Sequence, residues 1–132
     1  MEHKELMQLA LQAREKAYAP YSHFAVGAAL LAKSGRVYTG CNIENAAYSP
    51  TNCAERTAFF KAVSEGVRDF EAIAVIGGPE TEEGGFCSPC GVCRQVMTEF
   101  CGKDFRILLG TPNNVQTYSL QELLPATFSM NA

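Results

Sequence analysis

Apolar side chains at Leu6, Leu9, Ala10, Ala13 and Ala17 recur at helical spacing with charged residues between them, and Pro20 stops the pattern. Residues from about 3 to 18 therefore read as an amphipathic helix that packs by one face. Two strand-like runs follow, Phe24 to Ala32 and Arg36 to Ile43, separated by Lys33-Ser34-Gly35, which reads as a hairpin turn. A polar connection from Asn42 to Asn52 leads into a helix from Cys53 to about Glu65, closed by Gly66. Phe70 to Ile76 is short and mostly apolar, as suits a buried strand. Four glycines and two prolines make Gly77 to Pro89 a loop, which feeds a helical stretch from Cys90 to Cys101 ending at Gly102. Phe105 to Leu109 reads as a strand, Thr111-Pro112-Asn113-Asn114 as a turn, and Ser119-Leu120-Gln121-Glu122 as a capping box that opens a short helix. A hairpin followed by alternating strands and helices predicts an α/β fold, with a mixed sheet layered by helices.

At 132 residues the chain is sized for one domain, expected to span 1–132, so a single core must support all of its chemistry. With 47% hydrophobic and 19% charged residues it is too apolar to be disordered. A net charge of -3 supplies no cluster of Lys and Arg for a polyphosphate, so no nucleic-acid partner is expected. Residues Met1 to Lys16 interleave charges with apolar positions, unlike a signal peptide, and no run approaches the roughly 18 apolar residues of a membrane span. The expectation is a cytoplasmic protein without a membrane partner. In that compartment six cysteines are better read as metal ligands, catalytic thiols or core residues than as a disulfide framework.

The informative set is Cys53-Ala54-Glu55 together with Pro89-Cys90-Gly91-Val92-Cys93, each at the predicted start of a helix. Cys90 and Cys93 are three apart and share a helical face, and the exposed N–H groups of a helix start favour the thiolate form that zinc requires. Three thiolates leave a fourth tetrahedral position for water, as in a catalytic zinc site, with Glu55 beside it. Taken singly, the pieces have plainer readings. Cys90-x-x-Cys93 could be a redox pair, and Asn52-x-x-Glu55 a capping box with Glu55 reaching back to its helix start. A redox pair, however, needs no distant Cys followed by Glu, and a cap needs no cysteines. Cys87, Cys90 and Cys93 also resemble the opening of an iron–sulfur ligand set, but Cys101 is too distant to complete it and lacks a following proline. A closed four-cysteine site using Cys87 or Cys41 would leave Glu55 without a purpose. Cys41, Cys87 and Cys101 are thus expected to be packing or loop residues. Three thiolates on a divalent zinc sum to a negative charge, so at least one of Arg56 and Arg94 is expected against the ligand sulfurs, the plainer reading being that both lie on helix surfaces.

At these residues the chain resembles the short, homotetrameric, three-cysteine branch of the cytidine deaminase family. The matching stretches are Tyr18-Ala19-Pro20-Tyr21-Ser22, Phe24 to Ala29, Asn42 to Ser49, Cys53 to Ala58, and Ser88 to Gln95, in order along nearly the whole chain. Cys53 stands where many deaminases carry His, a substitution this branch shares. The resemblance implies a three-layer α/β/α sandwich with a mixed five-stranded sheet. It further implies hydrolytic deamination of cytidine and 2′-deoxycytidine to uridine and 2′-deoxyuridine with release of ammonia, in pyrimidine salvage. Cys53, Cys90 and Cys93 are then ligands to one Zn²⁺ per subunit, which makes hydroxide available near neutral pH. Glu55 takes the water proton, passes it to N3 as hydroxide attacks C4, and later protonates the departing amine.

By the same resemblance, the backbone amide of Ala54 and the carbonyl of Ser88 hold the ring oxygen and the amine, and Phe24 packs on the pyrimidine. Asn42 and Glu44 bind the ribose hydroxyls, while Tyr48 and Phe128 complete a neighbouring subunit's pocket. Read only from their own context, Phe24 is an ordinary strand residue, Asn42 and Glu44 are solvated turn residues, and Phe128 is unremarkable. Other readings to weigh are a deaminase for a nucleotide or for an aminoacylnucleoside such as blasticidin S, and a non-catalytic module in which zinc only joins two helices.

Overall fold

The computed structural model describes residues 1–130. Its elements in chain order are α1 (His3–Arg14), β1 (Phe24–Ala32), β2 (Val37–Cys41), α2 (Ala54–Ser64), β3 (Phe70–Pro79), α3 (Gly91–Phe100), β4 (Arg106–Thr111), β5 (Asn114–Ser119) and α4 (Leu120–Leu123). The strands form a five-stranded sheet in the order β2-β1-β3-β4-β5. Every neighbouring pair is antiparallel except β3 with β4, the pair joined through α3. This is the mixed α/β sheet that the chain's alternation and resemblance predict.

Successive strand residues face opposite layers. On one side Ala28, Leu30, Ile73, Val75, Ile107 and Leu109 pack with Ala54, Ala58 and Phe59 of α2 and Met97 of α3. On the other, Ala29, Leu31, Ala74, Ile76 and Leu108 pack against Leu6, Met7 and Ala10 of α1. Phe59 anchors the first layer, with the rings of Phe70, Phe100 and Phe105 at 5.2, 6.3 and 6.1 Å. Because α2 and α3 share one face of the sheet, their N-termini can meet.

Three boundaries differ from the sequence reading, each for a tertiary reason. The first helix stops at Arg14 rather than near 18 because the Tyr18 backbone is drawn into a bridge with Ile43, donating to Asn42 O and accepting from Glu44 N. That same bridge, with another between Ile43 and Asn52, takes the chain out of β2 after Cys41. β3 runs on through Gly77 and Gly78 to Pro79, which pair with Val26, Ala25 and Phe24. β5 replaces what pattern alone leaves as connection. It is a mostly polar edge strand, so no buried face marks it, and pairing with β4 creates it. No helix among the described residues is long and apolar enough to cross a membrane.

Candidate metal centre and active site

Cys53 is the N-cap of α2 and Cys90 the N-cap of α3, both in extended backbone conformation just before the first helical residue. The Cys90 sulfur accepts the Cys93 backbone N–H at 3.5 Å, so a thiol occupies the capping position where an oxygen is usual. Gly40 of β2 lets the start of α2 lie close to the sheet: a Cβ there would come within 2.5 Å of the Ala54 carbonyl oxygen. Thr57 Oγ1 donates to the Cys53 carbonyl at 3.0 Å and accepts from Asn52 Nδ2 at 3.3 Å, which pins the cap. With Cys53 as the N-cap, Asn52 is not, and Glu55 is the second helical residue, one position too early to close a capping box. The capping reading of Asn52 and Glu55 does not hold.

The Sγ atoms of Cys53, Cys90 and Cys93 all lie within 4.8 Å of one another, with Cys53 to Cys90 at 3.9 Å and Cys90 to Cys93 at 3.5 Å. Zn–S bonds of about 2.3 Å in a tetrahedral site set sulfurs roughly 3.8 Å apart, so this donor set fits a zinc ion with three ligands and an open fourth position. The Cys93 thiol donates to Cys53 and holds the Cys53 thiol down at about 5 against the opposing effect of burial, with Arg56 adding to the lowering. The same bond pushes Cys93 upward. Cys41, Cys87 and Cys101 stay outside this cluster and all six cysteines are unbridged. Cys87 packs over Gly77, where a Cβ would stand 2.9 Å from its sulfur.

Glu55, in the first turn of α2, is only 5% exposed and is the one buried charged residue among the described residues. Burial lifts its carboxyl to about 7, opposed by a hydrogen bond from its own backbone N–H, while the Cys53 charge adds to the rise. A carboxyl poised there can both accept and release a proton near neutrality. Arg56 Nη2 donates to the Cys53 sulfur at 3.0 Å. Of the two arginines expected to include at least one on the sulfurs, Arg56 makes that contact and Arg94 meets oxygens. Its guanidinium donates to Pro89 O at 2.8 Å, to Ser88 Oγ at 2.7 Å and to Leu123 O, so it braces the backbone that precedes Cys90.

The residues expected to surround a substrate fall in two groups. Phe24, the first residue of β1, is 41% exposed and borders a groove of about 650 Å³ lined otherwise by residues of the 77–86 segment. Asn42 extends the sheet edge, with Nδ2 donating to Phe24 O at 2.8 Å and Oδ1 accepting from Val26 N at 2.9 Å. Glu44 and Tyr48 share a separate hollow of about 450 Å³ with Tyr21, Ser22 and Thr51. Glu44 Oε1 accepts the backbone N–H groups of Tyr21 at 3.0 Å and Ser22 at 3.1 Å, and Oε2 accepts the Ser22 hydroxyl, which together hold its carboxyl below the ordinary range. Tyr21 and Ser22 are thus orienting residues that sequence reasoning saw only as part of a matching stretch. Tyr48 sits at φ 61, a left-handed conformation unusual for a bulky residue, and is 72% exposed, with its ring edge-on to Tyr21 at 6.2 Å. Phe128 is 70% exposed while its carbonyl accepts from Gln95 Nε2 at 3.2 Å.

Three cysteine sulfurs at two helix starts, a Glu two residues past the first of them, and a Pro-Cys-x-x-Cys pair on a mixed sheet define a deaminase of the zinc-binding class. Comparison with known proteins agrees. The family model described as the cytidine and deoxycytidylate deaminase zinc-binding region matches residues 1–109. A cytidine deaminase of Sporosarcina psychrophila is 53% identical over 98% of this chain and 93% of its own, and one from Halalkalibacterium halodurans is 52% identical over 98% and 96%. The crystal structure of cytidine deaminase from Burkholderia pseudomallei, 48% identical, superposes with a TM-score of 0.88 over 97% of this chain and 100% of that one. The chain belongs to the cytidine deaminase family.

Proposed function

We propose that this chain is a single domain over residues 1–132 that hydrolytically deaminates cytidine and 2′-deoxycytidine to uridine and 2′-deoxyuridine, releasing ammonia. The observation that carries the reading is the buried Glu55 carboxyl, lifted to about 7, beside the three-sulfur cluster. When one zinc per subunit is held by Cys53, Cys90 and Cys93, it supplies an acidified water at neutral pH. Glu55 accepts a proton from that water and delivers it to N3 of the pyrimidine as the water's oxygen adds to C4. It then accepts the second water proton and gives it to the departing amine, so cytidine and water become uridine and ammonia. The Ala54 amide, at the first position of α2 where helix N–H groups have no helical partner, is suited to hold the ring oxygen. The Ser88 carbonyl, in a segment that Arg94 holds through the Ser88 hydroxyl and the Pro89 carbonyl, is suited to accept from the amine. Phe24 covers the base, and Asn42 and Glu44 receive the ribose hydroxyls.

Tyr48 and Phe128, large apolar side chains standing in solvent, support a homotetramer in which each completes a neighbour's pocket. The net charge of -3 supports a free nucleoside rather than a nucleic-acid substrate, and such a substrate is consistent with a cytoplasmic place in pyrimidine salvage. A coupled ammonia assay over cytidine, deoxycytidine, their nucleotides and blasticidin S tests the reading. Turnover of the two nucleosides is expected, and turnover confined to nucleotides or to the antibiotic would overturn it.

A further inference from the structure

Arg14, the last residue of α1, spreads its guanidinium over four main-chain carbonyls. Nε donates to Ala25 O at 2.8 Å, Nη2 to Gly78 O at 3.0 Å and Pro79 O at 2.8 Å, and Nη1 to Glu82 O at 3.0 Å. Four of the five guanidinium donors are therefore spent on two backbone segments that are far apart in sequence. The fold makes room for this contact from both sides. A Cβ on Gly27 would lie 2.1 Å from the Ala10 carbonyl oxygen, so only glycine admits α1 so close to β1. A Cβ on Gly84 would stand 3.3 Å from Cζ, Nε and Nη1 of Arg14.

The two segments that Arg14 joins both lead to the substrate groups. Ala25 follows Phe24, whose rung on the sheet is Pro79, and Phe24 is too exposed for core packing to fix it. The 78–82 segment opens the arm that a bridge between Gly77 and Gly85 closes and that continues through Cys87 to Ser88, Pro89 and Cys90. Arg94 braces the far end of that arm at Ser88 and Pro89, and Arg14 braces the near end. We propose that Arg14 is a positioning residue for substrate binding: it fixes Phe24 relative to the Ser88 arm through their backbones, without touching the nucleoside. This inference rests on the substrate roles of Phe24 and Ser88 proposed above.

Arg14→Gln and Arg14→Lys in the zinc-loaded enzyme test it through zinc content, kcat and KM for cytidine, inhibition by uridine, and thermal unfolding. In Arg14→Gln the KM for cytidine and the uridine inhibition constant should both rise about tenfold with kcat and zinc content largely kept, the pattern of lost binding in ground and transition states alike. Arg14→Lys should recover only part of this, because one ammonium cannot span carbonyls that a planar fork reaches together. If Arg14→Gln does not fold, Arg14→Lys alone carries the test, and its KM and uridine inhibition constant should still exceed those of the wild type. A lower unfolding temperature with unchanged KM and uridine inhibition would overturn the inference and leave Arg14 a scaffold residue, as would full recovery in Arg14→Lys. Wild-type protein that fails to deaminate cytidine would instead overturn the proposed function, so the two failures are distinguishable.

Discussion

Arg56 Nη2 donates to the Cys53 sulfur at 3.0 Å, so a guanidinium carried on the first turn of α2 neutralises part of the thiolate charge at that helix's own cap. Three thiolates around zinc give a net negative centre, which weakens the metal's pull on water, and this bond draws charge back. Arg56→Gln should therefore lower zinc affinity or turnover about 10- to 100-fold. Arg94→Gln, which removes a guanidinium that meets the Ser88 hydroxyl and the Pro89 carbonyl, should alter turnover through the Ser88–Pro89 segment while zinc affinity stays near wild type. Competition with a chromophoric chelator measures both. Equal zinc affinity together with equal turnover in wild type and Arg56→Gln would remove charge compensation from the account.

Glu55→Gln keeps the shape of a buried side chain but cannot carry a proton. It should retain the fold and the metal and lose turnover by on the order of 10²-fold or more. Single-turnover ammonia release and elemental analysis on one preparation report both quantities. Activity near wild type would return Glu55 to a purely structural role.

Cys90→Ala removes both a sulfur donor and the cap of α3. Zinc should become substoichiometric and activity should vanish with it. Stoichiometric zinc in that variant would mean that the ligands lie elsewhere.

Burial pushes the Cys101 thiol up to about 12 from its ordinary 9.0. Above pH 9 the unfolded chain loses this proton first, so the stability this thiol contributes is complete below that pH and is lost as the pH rises towards 12. Removing the group by Cys101→Ala should make the alkaline fall in unfolding free energy shallower, by up to about 1.4 kcal/mol per pH unit. Urea titrations from pH 8 to the alkaline limit give the slopes. Parallel slopes in wild type and variant would contradict a buried, protonated Cys101.

Glu44 is ionised and already accepts from Tyr21 and Ser22, which aims it and leaves an Oε2 lone pair for a hydroxyl. A 3′-phosphate would set like charges together and remove the donor, so cytidine should be turned over while cytidine 3′-phosphate and a cytosine trinucleotide are rejected. Glu44→Gln should raise the KM for cytidine without admitting the trinucleotide. Comparable rates on all three substrates would sink both the Glu44 role and the free-nucleoside assignment.

What the sequence determined by itself was local. The span of β1 from Phe24 to Ala32, the turn at Gly35, and helices opening at Cys53 and Cys90 follow from periodicity and end signals within a few residues. The cluster of Cys53, Cys90 and Cys93 and its neighbour Glu55 were legible because their residue types and spacings imply one chemistry. Tertiary structure decided the matters that depend on distant backbone. Pairing with β1 carried β3 on to Pro79, and pairing with β4 made a strand of the polar residues Asn114–Ser119. Of two arginines placed alike beside ligand cysteines, only the direction of the side chain separates Arg56 on a sulfur from Arg94 on Pro89, Ser88 and Leu123. Arg14 reads in sequence as a routine basic residue at a helix end. Its acceptors at Gly78, Pro79 and Glu82 lie more than sixty positions away, and only the packing of α1 on the sheet brings them within reach of one guanidinium.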